Sequence, residues 1–138
     1  MAARDHNPAL VCIMHLMTVV GAGSFGLVEL FNPALLTTYL GKPESSPYMM
    51  SDLFVGSVSL AFAISSYLAL KSSPAAWAPV LKMQGIYKTI WCTGFLLLIA
   101  QGKEVWSFWN SFCFAVMAFY AVGDACTFVF MVGKDKAK

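Results

Sequence analysis

The sequence predicts an all-α fold, an integral membrane four-helix bundle with a short interfacial helix between spans one and two. Three observations carry that expectation. Four long apolar stretches, Ala9–Phe31, Leu53–Leu70, Val80–Ala100 and Phe108–Val132, fill most of the 138 residues. Each is about as long as a helix that crosses a hydrocarbon core of roughly 30 Å. Charged residues make up 12% of the chain and hydrophobic ones 59%, where soluble domains run nearer a quarter charged. The polar punctuation is short: Asn32-Pro33, Gly41–Pro47, Lys71–Pro74 and Gln101–Glu104. A chain of this length cannot bury four such helices away from water, so lipid is the expected solvent. The expected organisation is a single domain over 1–138, with spans at about 9–31, 53–70, 79–100 and 106–132 and the interfacial helix at about 33–40.

Span one follows a polar start, Met1–Pro8, that carries an acid and is unlike an Arg/Ser-rich transit peptide. Its apolar run is too long for a signal-peptide core and lacks an obvious small-residue cleavage site, which makes it a retained helix. It carries Gly21, Gly23 and Gly26, and span two carries Gly56, Ser59, Ala63 and Ser66. Small residues let membrane helices approach closely, so these two faces are expected to meet. Between the spans, Asn32 suits an N-cap, Pro33 the first helical position and Gly41 the residue past a C-terminus. Ala34, Leu35, Leu36 and Leu40 give the two turns between them an apolar side.

Charge sets the expected orientation. If the N-terminus lies on side A, four crossings return the C-terminus there. Side A then holds Arg4, Lys71, Lys134, Lys136 and Lys138, with Lys82 in reach, against Lys42 and Lys103 on side B. Positive residues stay on the side of insertion, so both termini are expected to face the cytoplasm, or a matrix or stroma. Tyr48, Trp106 and Trp109 near side B and Trp77 near side A fit the headgroup zones.

The ionisable residues inside the spans are the site candidates. Counting about 1.5 Å per residue from side A, His15 lies roughly 9 Å deep, Asp124 roughly 12 Å and Lys88 roughly 13 Å. Asp124, Tyr120, Met117, Cys113 and Asn110 share one face of span four, and His15, Thr18, Ala22, Gly26 and Glu29 share one face of span one. Lipid tails cannot satisfy such groups, so both faces should turn inward. A lone charge at that depth costs about 2.5–3.5 kcal/mol, and the expected remedy is a Lys88–Asp124 ion pair, with Tyr87, Tyr120 or His15 adding hydrogen bonds. Glu29 is placed near side B. Three roles stay open for the pair: a helix-pairing clip, a ligand or proton site, or a Lys88 that snorkels outward instead.

His15 is the candidate axial ligand for a haem or chlorophyll, and equally reads as a hydrogen-bonded interior histidine. No cofactor is required by the sequence. Cys12, Cys92, Cys113 and Cys126 all fall within spans without a C-x-x-C pair, and read as small packing residues rather than a disulfide or metal set. A net charge of +2, with no basic cluster, gives no reason to expect nucleic acid. No hydrolase triad, zinc set or dinucleotide fingerprint is present, which points away from an enzyme.

The order of features resembles the DoxX-like group of small four-helix membrane proteins. The residues that carry the likeness are Leu27-Val28-Glu29-Leu30-Phe31-Asn32-Pro33-Ala34-Leu35-Leu36 through Gly41, and then Tyr87-Lys88-Thr89-Ile90-Trp91. The resemblance implies a four-helix bundle. It also brings a comparison with group members that serve as membrane subunits of quinone-linked oxidoreductases. It transfers no catalytic residue.

The expected function is that of a small non-catalytic integral membrane subunit of a larger respiratory or photosynthetic complex, with the lipid bilayer and other membrane subunits as partners. The alternative is a bundle that binds a lipid, quinone or sterol at a Lys88/Asp124/His15 polar pocket. A proton or ion path through His15, Lys88, Asp124 and Glu29 is weaker, because no ionisable residue links the two sides at the midplane.

Overall fold

The computed structural model describes residues 8–43, 49–73 and 76–132. Arg4, Tyr48, Lys134, Lys136 and Lys138, on which part of the orientation argument falls, lie outside the described residues. Five helices follow one another: α1 Pro8–Phe31, α2 Ala34–Leu40, α3 Met49–Lys71, α4 Trp77–Ala100 and α5 Phe108–Val132. Over the described residues, three stretches are long and apolar enough to cross a membrane: Ala9–Phe31, Leu53–Lys71 and Trp77–Ala100. α5 is a fourth long helix, of 25 residues. The expected boundaries shift modestly. α3 starts a turn earlier than residue 53. α4 starts at Trp77, which places Pro79 inside its first turn, where a missing N–H is harmless.

Consecutive long helices run antiparallel. Gly26 meets Gly56 and Gly23 meets Ala63 across α1 and α3. Gln84 meets Phe62 across α3 and α4, and Lys88 meets Asp124 across α4 and α5. α5 closes the ring on α1, where the Tyr120 hydroxyl donates to the Met17 carbonyl at 2.9 Å and Phe25 stacks on Trp109. The α1–α3 seam is the tightest. A Cβ built on Gly26 would lie 2.9 Å from the Gly56 carbonyl oxygen and 2.9 Å from Leu60 Cγ, so only glycine allows this crossing. Two of the small residues expected on that seam turn elsewhere. Gly21 faces the Tyr120 hydroxyl of α5, and Ser66 faces Gln84 of α4. α1 adjoins α3, α4 and α5, and α3 adjoins α1 and α4, so a larger polar residue on a second neighbour draws the small residue toward it.

The short helix α2 keeps its expected place but not its expected start. Its N-cap is Pro33, without a side-chain cap, and Asn32 instead accepts the Leu35 N–H through its backbone carbonyl. Pro33 therefore sits one position earlier than expected, where its fixed φ still leads into a helix. The C-terminus behaves as read: Gly41 takes φ 63°, and its N–H and that of Lys42 both reach the Leu36 carbonyl. At the opposite side of the molecule from α1's first turn, Phe95, Trp106 and Phe114 pack around the α4–α5 connection, with Trp106 edge-on to both phenylalanines.

The radial distribution is inverted relative to a water-soluble protein. Side chains shut inside include His15, Thr18, Glu29, Ser66, Gln84, Lys88, Asp124 and Thr127. Val20, Ile64, Ile90, Leu97 and Val122 point outward and are more than half exposed. Hydrocarbon is the medium in which such an outer surface carries no penalty and such an interior keeps its hydrogen bonds.

Candidate functional site

All four long helices contribute polar groups to adjoining turns of the interior. α1 brings His15 and Thr18, α3 brings Ser65 and Ser66, α4 brings Gln84 and Lys88, and α5 brings Tyr120 and Asp124. Lys88 Nζ donates to Asp124 Oδ2 at 2.7 Å, with side-chain exposures of 4% and 1%. The ammonium also lies 5.0 Å from the Tyr120 ring centre and 5.6 Å from that of Phe62. It is held by one carboxylate and two π faces, an arrangement that strengthens as water is excluded. Outward snorkelling, one of the roles open from the sequence, is not the conformation adopted.

The hydrogen bonds expected to support the pair go elsewhere. His15 Nε2 meets the Trp77 carbonyl at 3.0 Å. A carbonyl only accepts, so Nε2 carries the proton and Nδ1 is left as an acceptor. The Tyr120 hydroxyl is committed to Met17, and the Tyr87 ring stands edge-on to Phe62, with centroids 5.1 Å apart. Tyr120 serves the pair by its ring face instead, and Tyr87 and His15 are drawn to nearer partners on α3 and α4.

Gln84 was no site candidate in the sequence, yet it ties α4 to α3. Its Nε2 lies 3.2 Å from the Phe62 carbonyl, 3.0 Å from Ser65 Oγ and 3.1 Å from Ser66 Oγ, and shares its two hydrogens among these acceptors. The spacing Gln84–Lys88, one turn apart on a helix, was the available signal. Three fully enclosed acceptors of this region, His15 Nδ1, Gln84 Oε1 and Asp124 Oδ1, have no hydrogen-bond partner within the protein, and neither does the Trp77 indole N–H. Buried acceptors without donors are rare, and such groups are ordinarily satisfied by the chain itself or by ordered water.

Glu29 forms a second buried pair near the other end of the bundle. Lys42 Nζ donates to Glu29 Oε1 at 2.6 Å, and the two side chains are 8% and 2% exposed. By sequence Lys42 is a flanking charge of side B. The left-handed turn at Gly41 instead folds it back over the end of α1, where Glu29 matches its charge.

A groove of about 290 Å³ runs along the seam of α4 and α5. Leu81, Ile86, Ile90, Ala121 and Ala125 form its apolar walls, and Asp124 reaches its lining beside Gly85. Among the described residues, no cluster of three or more His, Cys, Asp or Glu side chains is placed to hold a metal ion, and the four cysteines are unpaired thiols.

No protein-family model, curated protein or solved structure matches the chain.

Proposed function

We propose that the chain is a four-span integral membrane protein that binds a small amphiphile from the bilayer at the polar layer of His15, Gln84, Lys88 and Asp124. The observation that carries this reading is the set of enclosed acceptors beside an internally neutralised ion pair. An ion pair that served as a clip alone would be surrounded by satisfied groups, since each unsatisfied one weakens the fold. The groove between α4 and α5 supplies an approach from the lipid side, and sites between facing helices are a recurrent feature of bundles. In this reading α5 is the fourth span: its two costly residues, Asn110 and Asp124, are both partnered, Asn110 by the Val105 carbonyl at 2.9 Å. Both termini face the cytoplasm, matrix or stroma. The support is the count of Lys and Arg, which leaves Lys42 and Lys103 on side B against the larger set on side A.

A second reading, a non-catalytic subunit of a larger respiratory or photosynthetic complex, draws on the DoxX-like resemblance and on the outward apolar side chains Phe31, Met83, Val105 and Phe108, which suit protein partners as well as lipid. One preparation separates the two. The protein is extracted from its native membrane in mild detergent, and its bound small molecules and its protein partners are analysed together by mass spectrometry. The proposal expects a stoichiometric amphiphile that is lost from the paired variant Lys88→Met with Asp124→Asn. Recovery of a bare 15 kDa chain, with neither amphiphile nor partner, refutes both readings.

A further inference from the structure

We infer that the groove along the seam of α4 and α5 seats one acyl chain of an anionic phospholipid, whose phosphate is held by Lys82. This site shares the membrane setting of the reading above but not its polar layer. The groove opens on the outside of the bundle, where Ile86 and Ile90 of its walls are more than half exposed. Gly85, Ala121 and Ala125 line it with side chains too short to fill it. Hydrocarbon surrounds that face, and a slot left empty there forfeits the dispersion contacts of its walls. The other polar groups of the lining make no claim on an occupant. Asp124 is enclosed and bound by Lys88, and the Thr89 hydroxyl donates to the Gly85 carbonyl at 2.8 Å.

The dimensions select a chain. From Lys82 to Ile90 the lining extends over about 12 Å of helix. Spread over that length, the volume of about 290 Å³ makes a slot roughly 5 Å across, where a helix with its side chains needs about 10–12 Å. An alkyl chain fits such a slot, and a helix from a second copy does not. Charge selects the head. Lys82 is exposed, lines the groove, and pairs with no carboxylate among the described residues. It is the sixth residue of α4 counted from Trp77, roughly 7.5 Å along the axis. Its apolar stem can lie along the groove wall while its ammonium reaches toward the headgroups. A zwitterionic head presents the same phosphate but brings its own cation, which offsets the attraction; an anionic head does not.

The test uses the full-length protein in lipid nanodiscs and two phospholipid probes with the same photoactivatable chain, phosphatidylglycerol and phosphatidylcholine. At equal mole fraction, phosphatidylglycerol is expected to label peptides holding residues 81–90 and 121–125 about fivefold more strongly, the worth of one lysine near an anionic surface. Lys82→Gln should bring that labelling down to the phosphatidylcholine level, and Lys82→Arg should keep the preference. Ala125→Phe, which fills the slot from an exposed position, should cut labelling by both probes without moving the unfolding midpoint. If it does lower the midpoint, the Lys82→Gln comparison decides alone. Equal labelling by the two probes in the unaltered protein, a preference that survives Lys82→Gln, or undiminished labelling of a stably folded Ala125→Phe each overturns the assignment. Crosslinks between two copies of the chain through groove residues overturn it in favour of self-association. The paired variant Lys88→Met with Asp124→Asn keeps Lys82 and the apolar walls, so the preference should persist there even where the amphiphile of the polar layer is lost. The two readings therefore fail separately.

Discussion

Removing one partner of the Lys88–Asp124 pair should cost far more than removing both. In Asp124→Ala the Lys88 ammonium keeps only the rings of Tyr120 and Phe62, at 5.0 and 5.6 Å. It has no escape to the headgroups: Lys88 is the twelfth residue of α4 counted from Trp77, roughly 16 Å along the axis. A lysine side chain spans less than half of that. Breaking a buried pair in this way costs about 3–5 kcal/mol, and the two ring contacts, already present in the intact pair, offset none of that loss. The single variant is therefore expected to lose about 3 kcal/mol or more. The double variant Lys88→Met with Asp124→Ala carries no buried charge and should recover most of that loss. The coupling between the two positions should then exceed about 2 kcal/mol. Reversible unfolding by dodecyl sulfate in mixed micelles, followed by circular dichroism, measures all four corners of the cycle. Single-variant effects that sum to the double-variant effect within about 0.5 kcal/mol would refute the reasoning, because the two side chains would then be energetically independent.

Three further variants test the packing and the second ion pair. Gly26→Val should destabilise the bundle by about 1–3 kcal/mol or more, since its Cβ meets the Gly56 backbone oxygen. Gly94→Ala, whose Cβ meets nothing within 4 Å, should be neutral or slightly stabilising in the same unfolding assay. Lys42→Met removes the 2.6 Å ion pair to Glu29 and should loosen the α2 corner, seen as faster amide hydrogen exchange at positions 41 and 42, whose N–H groups bond the Leu36 carbonyl. Unchanged exchange there would show that α2 is held by Leu36 packing alone.

The helices were legible because their signals are long and local: apolar runs about 20 residues long, and the Gly41 stop whose left-handed φ only glycine adopts freely. The Lys88–Asp124 pairing was legible for a different reason. Antiparallel neighbours joined by a short connection place residues at equal distance from that connection at equal depth, and lipid forbids leaving either charge alone. What was not legible depends on side-chain reach and on the choice among neighbours. Lys42 sits in a polar loop, where a lysine ordinarily stays solvated, and nothing local reveals that the chain reverses over Glu29. His15, Tyr87 and Tyr120 were each near enough in depth to touch the pair. Rotation about the helix axes, which hydropathy does not encode, assigned them to Trp77, Phe62 and Met17. The small residues told the same story: Gly26 and Gly56 met as expected, while Gly21 was claimed by Tyr120.

The placement of Lys88 also has a consequence for biogenesis. While the chain is being made, α4 emerges before α5, so an ammonium must enter the hydrocarbon at a moment when its counter-ion has not yet been synthesised. In the proposed four-span reading, release of the two final helices together as a hairpin avoids the cost of about 2.5–3.5 kcal/mol that a lone ammonium meets in hydrocarbon. A nascent chain cut short before residue 124 would strand its third long helix at the threshold of the bilayer, a natural point for quality control to recognise an unfinished molecule.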